Sequence, residues 1–219
     1  MQKDFLEFYE GKKVFITGHT GFKGSWLVFW LSLLNADIKG YALSPIGKLN
    51  LYEIINGDQY CNSVISDIRD QDRLKKELLN FKPDIIFHLA AQPIVKQSYI
   101  DPLETIEVNV NGTANLLEAA REIENPCQIV IITTDKVYEN KEWYYPYREE
   151  DTLGGHDPYS MSKACAELVV KSFRKSFFDL QSIEKHGKGI ASVRAGNVIG
   201  GGDWTEYRLV PDIAKAIAS

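Results

Sequence analysis

A glycine-rich turn between an apolar strand and a long apolar helix most restricts how this chain can fold. The β-rich run 12–17 leads into "TGHTGFKG", with Gly18, Gly21 and Gly24, and the nearly all-apolar segment 24–35 follows as a buried helix. Glycine lacks a Cβ, so it permits a tight turn and lets a pyrophosphate approach the N–H groups at the helix start. In this context the spacing predicts a dinucleotide-binding turn; a glycine turn without a ligand is the alternative.

The rest of the chain repeats the alternation of strand and helix. Further strands are predicted at 38–43, 60–65, 84–90, 127–134 and 189–195. Further helices are predicted at 69–81, 102–123 and 157–177. The longest irregular stretches are 44–59, 91–100, 136–157 and 196–210. The alternation predicts an α/β fold with a Rossmann-type doubly wound parallel sheet, whose ligands bind where strands end.

The end of the second predicted strand lacks a residue that such turns usually require. A ribose-binding acid is expected about 20 residues after the glycines. That neighbourhood reads Tyr41, Ala42, Leu43 and Ser44, with neither an acid nor an arginine. The residues themselves therefore leave the choice between NAD and NADP open.

Tyr159 and Lys163 lie four residues apart near the start of a predicted helix, so they share one face. A lysine ammonium beside a phenol favours the phenolate, and we expect it to lower the tyrosine pKa from about 10. Such a tyrosine can take a proton from a sugar hydroxyl while hydride leaves the same carbon. With 11 tyrosines in the chain, chance alone could produce this spacing, and the glycine turn favours the functional interpretation.

Composition and charge exclude several classes of protein. A net charge of −5 gives no support for nucleic-acid or anionic-membrane partners, and no apolar run is long enough to span a bilayer. The N-terminus lacks the apolar core of a signal peptide. Cys61, Cys127 and Cys165 are scattered, without disulfide or metal-ligand spacing, so we expect no metal and a reducing cytoplasm.

Several other residues receive structural interpretations. We expect His88 to be a hydrogen-bonded structural residue. Trp26 and Trp30 are assigned to the core because their helix is predicted to be buried. The aromatic segment 143–147 is either a sugar platform or a loop packed by its own side chains.

Six stretches of sequence together resemble the extended short-chain dehydrogenase/reductases that act on nucleotide sugars. They are "TGHTGFKGSW", "FHLAAQPIVKQSY", "NVNGTANLLEA", "TTDKVYENKEW", "GGHDPYSMSKACAELV" and "VRAGNVIGGGDW". Within that group the chain resembles the CDP-glucose 4,6-dehydratases over nearly its whole length. Lys136 is the discriminating residue, since related dTDP-glucose dehydratases carry Glu there and 4-epimerases lack the acid–base pair.

The resemblance implies a lyase that uses NAD and dehydrates CDP-glucose to a 4-keto-6-deoxy sugar, as in deoxysugar and surface polysaccharide biosynthesis. Tyr159 would take the 4-hydroxyl proton and Thr134 would hydrogen-bond the C4 oxygen. Asp135 would protonate the leaving C6 hydroxyl, Lys136 would be the base at C5, and Lys163 would hold the nicotinamide ribose. Hydride would pass from C4 to NAD and return to C6.

The same resemblance implies the binding residues. Those expected at the cofactor are Gly18, Thr20, Gly21, Phe22, Lys23, Gly24, Asp67, Ile68, Leu89, Ala90, Ala91, Thr133, Tyr159 and Lys163. Those expected at the substrate are Gln92, Asn197 and Arg208.

The acid and base roles require unusual protonation states. Asp135 must be protonated and Lys136 neutral, which reverses their ordinary charges, and we expect burial to favour both uncharged forms. A charged pair that reorganises when the site closes is the alternative.

The domain and assembly expectations also follow from the resemblance. We expect one NAD-binding domain over 1–219, with 196–219 as the start of a substrate region and most of a C-terminal substrate domain lacking. A homodimer, or a dimer of dimers, is expected through helices near 102–123 and 158–178. The alternatives are a 4-epimerase or dTDP-sugar dehydratase of the same fold, or a non-catalytic NAD-binding fragment.

Overall fold

Six parallel strands form one sheet in the computed structural model, which describes residues 7–47 and 49–218. The strands are β1 (Lys13–Thr17), β2 (Asp37–Ala42), β3 (Asn62–Ile65), β4 (Ile85–His88), β5 (Cys127–Ile132) and β6 (Lys188–Val193). Their spatial order is β3-β2-β1-β4-β5-β6, and each neighbouring pair is parallel. The chain therefore has the predicted Rossmann-type topology, and all six predicted strands are confirmed with shifts of a few residues at their ends.

The direction of winding reverses at β1, which pairs with β2 on one side and β4 on the other. The carboxyl ends of β1 and β4 lie side by side, because Thr17 is opposite His88. A crevice opens at such a reversal point, outside the ends of the strands.

The connections are mostly helical. The helices are α1 (Phe22–Leu33), α2 (Leu51–Ile54), α3 (Gln71–Phe81), α4 (Val95–Ile100), α5 (Pro102–Ile106), α6 (Gly112–Arg121), α7 (Pro158–Ser176), α8 (Ile183–His186) and α9 (Leu209–Ala218). The prediction of an irregular 91–100 was wrong in its second half, which is α4. The predicted helix 102–123 is α5 and α6 joined by a π-helical stretch at Glu107–Asn111.

The two faces of the sheet carry separate cores. On one face Val28 and Leu31 of α1 pack with Val14 and Ile16 of β1. On the other face α3, α6 and α7 pack over a larger cluster that includes Phe15. Strands buried on both faces read as continuous apolar runs, which explains why β1 was visible in the sequence.

The prediction that Trp26 and Trp30 belong to the core was wrong. Their side chains are 46% and 53% exposed, and Leu33 on the same side of α1 is 64% exposed. The helix buries only one stripe, so its high apolar content does not mean that it is buried all round. The Trp26 indole N–H donates to the carbonyl of Gly201, 2.9 Å away.

Candidate active site

The glycine turn is shaped by close backbone approaches. Gly18 has φ +74°, and a Cβ there would lie 2.7 Å from the backbone nitrogen of Ala90 at the end of β4. A Cβ on Gly24 would overlap the carbonyl oxygen of Gly18. These two glycines therefore hold the turn against its neighbours, as a tight strand-to-helix connection requires.

Gly21 has a different environment from the other two glycines. A Cβ at this position would meet only the Gly18 carbonyl oxygen, at an ordinary 3.4 Å. Gly21 is also the N-cap of α1, which has no side-chain cap and no acid in its first turn. Unsatisfied N–H groups and an open approach fit the pyrophosphate of a dinucleotide.

Three further residues predicted at the cofactor lie in or beside this turn. The Thr20 hydroxyl donates to the carbonyl of Leu43, 2.8 Å away, and so connects the turn to the end of β2. Phe22 is half-buried at the first position of α1, and Lys23 follows it. Desolvation and the nearby positive charge of Arg208 lower the pKa of Lys23.

Asp67 and Ile68 follow β3, where the adenine was expected. The Asp67 carboxylate is held by the Arg69 guanidinium at 2.6 Å, and this contact lowers its pKa. Ile68 is buried and packs against Gly112 of α6. The acid is thus engaged by a neighbouring arginine, and the isoleucine is part of the core wall.

The end of β4 is fixed by buried hydrogen bonds. His88 contacts the Thr17 hydroxyl at 2.7 Å through Nδ1 and the Thr113 hydroxyl at 3.2 Å through Nε2. The Ala90 N–H donates to the Thr17 hydroxyl at 3.1 Å, which places Leu89, Ala90 and Ala91 beside the glycine turn. Burial, aided by the Lys163 charge, lowers the pKa of His88 to about 3, so the prediction of a structural histidine is confirmed.

Asn109 is a buried residue of this region that the sequence patterns did not single out. It lies in the π-helical stretch, accepts a hydrogen bond from the Gln92 backbone N–H at 2.8 Å and donates to Ser162 of α7 at 2.8 Å. The Gln92 side chain, predicted at the substrate, contacts Thr105 at 2.8 Å and accepts from the Ile94 N–H at 2.6 Å. Asn109 is the first residue of the stretch "NVNGTANLLEA", which is the sequence signal that could have revealed it, and π-helical turns often occur at functional sites.

Helix α7 brings Tyr159 and Lys163 to the end of β5. Its start is fixed by Pro158 at the first position and by the Asp157 carboxylate, which accepts from the Ser160 N–H at 2.9 Å. Tyr159 is half-buried, while Lys163 is 7% exposed with its ammonium 3.5 Å from the Ile132 carbonyl. The predicted shared helix face is therefore present at the sheet edge.

The expectation that Lys163 lowers the pKa of Tyr159 was wrong. Burial raises the pKa of Tyr159, and the opposing contributions come from a hydrogen bond with Thr134 and from Arg208. For Lys163, burial and the charge of Lys23 lower the pKa to about 8. The burial of the Tyr159 phenol therefore outweighs the groups around it that favour its ionised form.

Thr134, Asp135 and Lys136 follow β5 in a short 3₁₀ turn, Asp135–Val137. The Thr134 hydroxyl donates to the Asp135 carboxylate at 3.1 Å, and it lies close enough to the Tyr159 phenol to oppose the rise in its pKa. The Asp135 N–H donates to the Ala195 carbonyl at 3.1 Å. The side chains of Asp135 and Lys136 are exposed, and the expectation that burial favours their uncharged forms was wrong.

The segment after β6 covers part of this edge. Asn197 is exposed, and Arg208 lies 3.7 Å from the Asp203 carboxylate. The Arg208 Nε is buried without a hydrogen-bond partner among the described residues. Because Arg208 influences the pKa values of both Tyr159 and Lys23, it faces the same site as they do.

Glu167 is a second residue that the sequence patterns missed. It is 5% exposed on α7, one turn beyond Lys163, and accepts a 2.6 Å hydrogen bond from Thr133. Ser192 and Arg194 donate to the same carboxylate. Thr133, predicted at the cofactor, thus directs its hydroxyl to Glu167, and the partners are too far apart in sequence for a spacing rule to find them.

The aromatic segment packs mainly on itself. Tyr138 and Tyr147 stack with centroids 4.9 Å apart, and Trp143 contacts Tyr147 at 5.6 Å. Tyr144 and Tyr145 are 102% and 76% exposed. Of the two interpretations given for this segment, the packed loop describes Trp143 and Tyr147.

The described residues, 7–47 and 49–218, hold neither a cluster of metal ligands nor a helix that could span a membrane. These residues contain no group of three or more His, Cys, Asp or Glu side chains that could hold a metal ion. None of the helices in the same ranges is long and apolar enough to cross a membrane.

Comparison with known proteins places this geometry among nucleotide-sugar enzymes. The model of the family described as GDP-mannose 4,6 dehydratase matches residues 15–183. A CDP-glucose 4,6-dehydratase from Salmonella typhimurium is 53% identical over 209 residues, covering 95% of this chain and 58% of that protein. A CDP-paratose 2-epimerase from Salmonella typhi is 30% identical, covering 75% of this chain and 54% of that protein.

A solved structure has the same fold. A UDP-N-acetylglucosamine 4-epimerase from Methanobrevibacter ruminantium, in complex with UDP-N-acetylmuramic acid, superposes with a TM-score of 0.79 at 27% identity. The match covers 95% of this chain and 63% of that one. The chain thus spans less than two thirds of the length of each of these three proteins.

Proposed function

Since the chain belongs to the GDP-mannose 4,6 dehydratase family, we propose that it is a lyase that dehydrates CDP-glucose to CDP-4-keto-6-deoxyglucose. The observation that carries this proposal is the trio Thr134, Asp135 and Lys136 at the end of β5, close enough to Tyr159 for Thr134 and Asp135 to influence the pKa of its phenol. An exposed acid and base beside a phenol supply the groups that an elimination next to a carbonyl requires. The 53% identity to a CDP-glucose 4,6-dehydratase supports the choice of substrate.

We assign NAD as the cofactor, which supplies the hydride acceptor and later the hydride donor when it is bound. The residues present fit this group, since Gly21 is open and the first turn of α1 lacks an acid. Gly18 and Gly24 shape the turn, and Leu89 to Ala91 line its other side. Lys163, next to the end of β5, is placed to hold the nicotinamide ribose.

Tyr159 serves as the base for the C4 hydroxyl, and Thr134 lies close enough to favour its phenolate form. Proton removal by a buried phenol requires that the phenolate be stabilised, and the contributions in that direction come from Thr134 and Arg208. The resulting C4 carbonyl acidifies the C5 proton, so a second base can remove it.

Asp135 and Lys136 perform the elimination as acid and base. Asp135 protonates the C6 hydroxyl as it leaves, and Lys136 removes the C5 proton. Both side chains are exposed, so a sugar that covers them would provide the burial that favours their uncharged forms. The charged pair that reorganises on closure is therefore the arrangement we propose.

Three further residues are proposed for the nucleotide sugar. Arg208 and Lys23 supply positive charge for its phosphates, because each influences the same site. Asn197 follows β6 and is exposed beside the Gly196 backbone, which lies near Asp135. Gln92 acts indirectly, by holding its loop in place. Both the nitrogen and the oxygen of its side-chain amide make hydrogen bonds within the protein.

We also propose a homodimer and a cytoplasmic location. Tyr99, Ile100 and Leu103 near α5, and Leu168 on α7, are all more than half exposed, which supports a homodimer interface on these helices. Cys61, Cys127 and Cys165, all within the described residues, are free thiols, which supports the reducing cytoplasm.

The test is to incubate the full chain with CDP-glucose and a catalytic amount of NAD. We expect a sugar nucleotide that has lost one water, detected by mass spectrometry, without net accumulation of NADH. CDP-glucuronic acid, a C4 epimer or a steady rise in NADH absorbance would overturn the proposal.

A further inference from the structure

We propose that Glu167 is a positioning residue that fixes the strand end carrying Thr134, Asp135 and Lys136 relative to the helix carrying Tyr159 and Lys163. The inference rests on the proposed function, since it concerns the coordination of two steps of that reaction. Glu167 does not touch the expected sugar; it acts through Thr133 and Arg194.

The Glu167 carboxylate is the point where three elements meet. Thr133, at the end of β5, donates at 2.6 Å, and Ser192 of β6 donates at 2.9 Å. Arg194, just after β6, makes a two-pronged contact, with Nε at 2.9 Å and Nη2 at 3.1 Å. The side chains of Glu167 and Arg194 are 5% and 17% exposed, so the ion pair is largely desolvated and fully hydrogen-bonded.

Arg194 also connects Glu167 to residues that follow the 3₁₀ turn in the chain. Its Nη1 donates to the Glu149 carbonyl at 3.0 Å, and its guanidinium lies 4.7 Å from the centre of the Tyr138 ring. Tyr138 stacks in turn on Tyr147. The turn that carries Asp135 and Lys136 is therefore flanked on both sides by residues held by this one ion pair.

The positions of Tyr159 and of the pair Asp135 and Lys136 depend on Glu167 to different degrees. Tyr159 is positioned independently, because the Ser98 hydroxyl accepts its backbone N–H at 3.2 Å and the Asp157 cap fixes the helix start. Ser162 is further held by Asn109. The side chains of Asp135 and Lys136 are exposed, and the turn that carries them is held by the bond from the Asp135 N–H to the Ala195 carbonyl and by the contact between Thr133 and Glu167.

This difference predicts which step fails first. Removing the Glu167 carboxylate should leave the removal of the C4 hydroxyl proton by Tyr159 largely intact. It should misplace Asp135 and Lys136, the acid and base of the elimination. A shift of about 1 Å in catalytic groups lowers rates by about a hundredfold, so a partial loosening should reduce elimination by about tenfold or more.

The experiment compares Glu167→Gln with Glu77→Gln in the full chain. Glutamine keeps the shape but presents an amide donor to Ser192 and Arg194, which are donors themselves. Glu77 pairs with Lys39 on the outer part of the sheet, so its replacement also breaks a partly buried ion pair, but one far from the site. A single turnover is followed by NADH absorbance and by mass spectrometry of quenched sugar nucleotides.

We expect Glu167→Gln to accumulate NADH and the 4-keto sugar that still carries its C6 hydroxyl. Elimination should be slowed about tenfold or more relative to C4 oxidation. Glu77→Gln should turn over like the parent. An equal loss of both steps in Glu167→Gln would overturn the inference, because a purely structural role lowers them together. If Glu167→Gln does not fold, Thr133→Val removes one of the same hydrogen bonds and should shift the ratio in the same direction; an unchanged ratio would overturn the inference too.

The proposed function and this inference fail in distinguishable ways. If the parent chain itself produces no dehydrated sugar, the proposed function is wrong. If the parent dehydrates CDP-glucose and the variants keep its ratio of steps, only the role of Glu167 is wrong.

Discussion

The two halves of the sheet edge are built by different physical means. The glycine half comprises β1, β2, α1 and the turn between them, and its geometry depends on backbone atoms in close approach, at Gly18 and Gly24. The catalytic half comprises β4 to β6 and α7, and its geometry depends on buried polar side chains such as Lys163 and Glu167. We propose that a missing Cβ admits the cofactor in the first half, and that hydrogen bonds between distant segments align the reactive groups in the second.

The two halves should therefore tolerate different kinds of substitution. Adding a methyl group to a closely packed turn causes overlap that cannot be relieved without moving backbone. Removing a buried carboxylate leaves its donors unpaired and loosens the segments that they hold, but it forces no atoms to overlap. The predictions below test the contrast, beginning with the largest effect.

Replacing the phenol or the base in the catalytic half should have the largest effect on turnover. Tyr159→Phe is expected to lower the overall rate by about 10²–10⁴ because the proton of the C4 hydroxyl loses its acceptor. Lys136→Met should spare C4 oxidation and block elimination. Rapid-quench kinetics distinguish the two, and elimination that persists in Lys136→Met would contradict its role.

Two leucines of α1 test which stripe of the glycine half is buried. Leu31 is 2% exposed, so Leu31→Ala should lower the free energy of unfolding by about 2–5 kcal/mol. Leu33 is 64% exposed, and Leu33→Gln should change it by less than about 0.5 kcal/mol. Urea denaturation measures both, and equal losses would mean that α1 is covered on both sides.

Substitutions at two glycines of the turn distinguish an effect on stability from an effect on cofactor binding. In Gly24→Ala the added Cβ would overlap the Gly18 carbonyl, so we expect a loss of about 1–3 kcal/mol in stability. In Gly21→Ala the Cβ meets only an atom at 3.4 Å, so stability should change little while NAD affinity falls. Thermal unfolding and NAD titration are the measurements, and unimpaired NAD binding by Gly21→Ala would contradict the assigned site.

The two buried histidines, His19 in the glycine half and His88 in the catalytic half, predict a loss of stability in acid. Burial lowers their pKa values to about 4 and about 3. Below a pH of about 6.5 these histidines bind protons in the unfolded chain but not in the folded chain. The free energy of unfolding therefore decreases by about 1 kcal/mol per pH unit for each histidine. Urea unfolding between pH values of about 6.5 and 5.5 should show this slope, and it should be roughly halved in His88→Asn; a flat profile would contradict it.

The contrast between the halves also explains what could be predicted from sequence. The strands, the glycine turn and the Tyr159–Lys163 pair depend on neighbours within a few residues, and all were found where expected. Trp26 and Trp30 were misplaced because an almost wholly apolar helix gives no sign of which stripe it buries.

The polar contacts of the catalytic half could not be predicted in the same way. Glu167 binds Thr133 across 34 residues and Arg194 across 27, so no spacing rule reports them. The direction of the Tyr159 pKa was missed for a related reason: burial depends on the whole fold, and it outweighs the nearby lysine.

The central claim is that one bound sugar gives up a hydride at C4 and receives it back at C6. The most direct test uses CDP-glucose deuterated at C4, mixed with unlabelled CDP-glucose, and locates the deuterium in the product by NMR and mass spectrometry. The account predicts deuterium at C6 of the molecules that began with it at C4, with no exchange between molecules. Deuterium retained at C4, or lost to solvent or to free NADH, would contradict it.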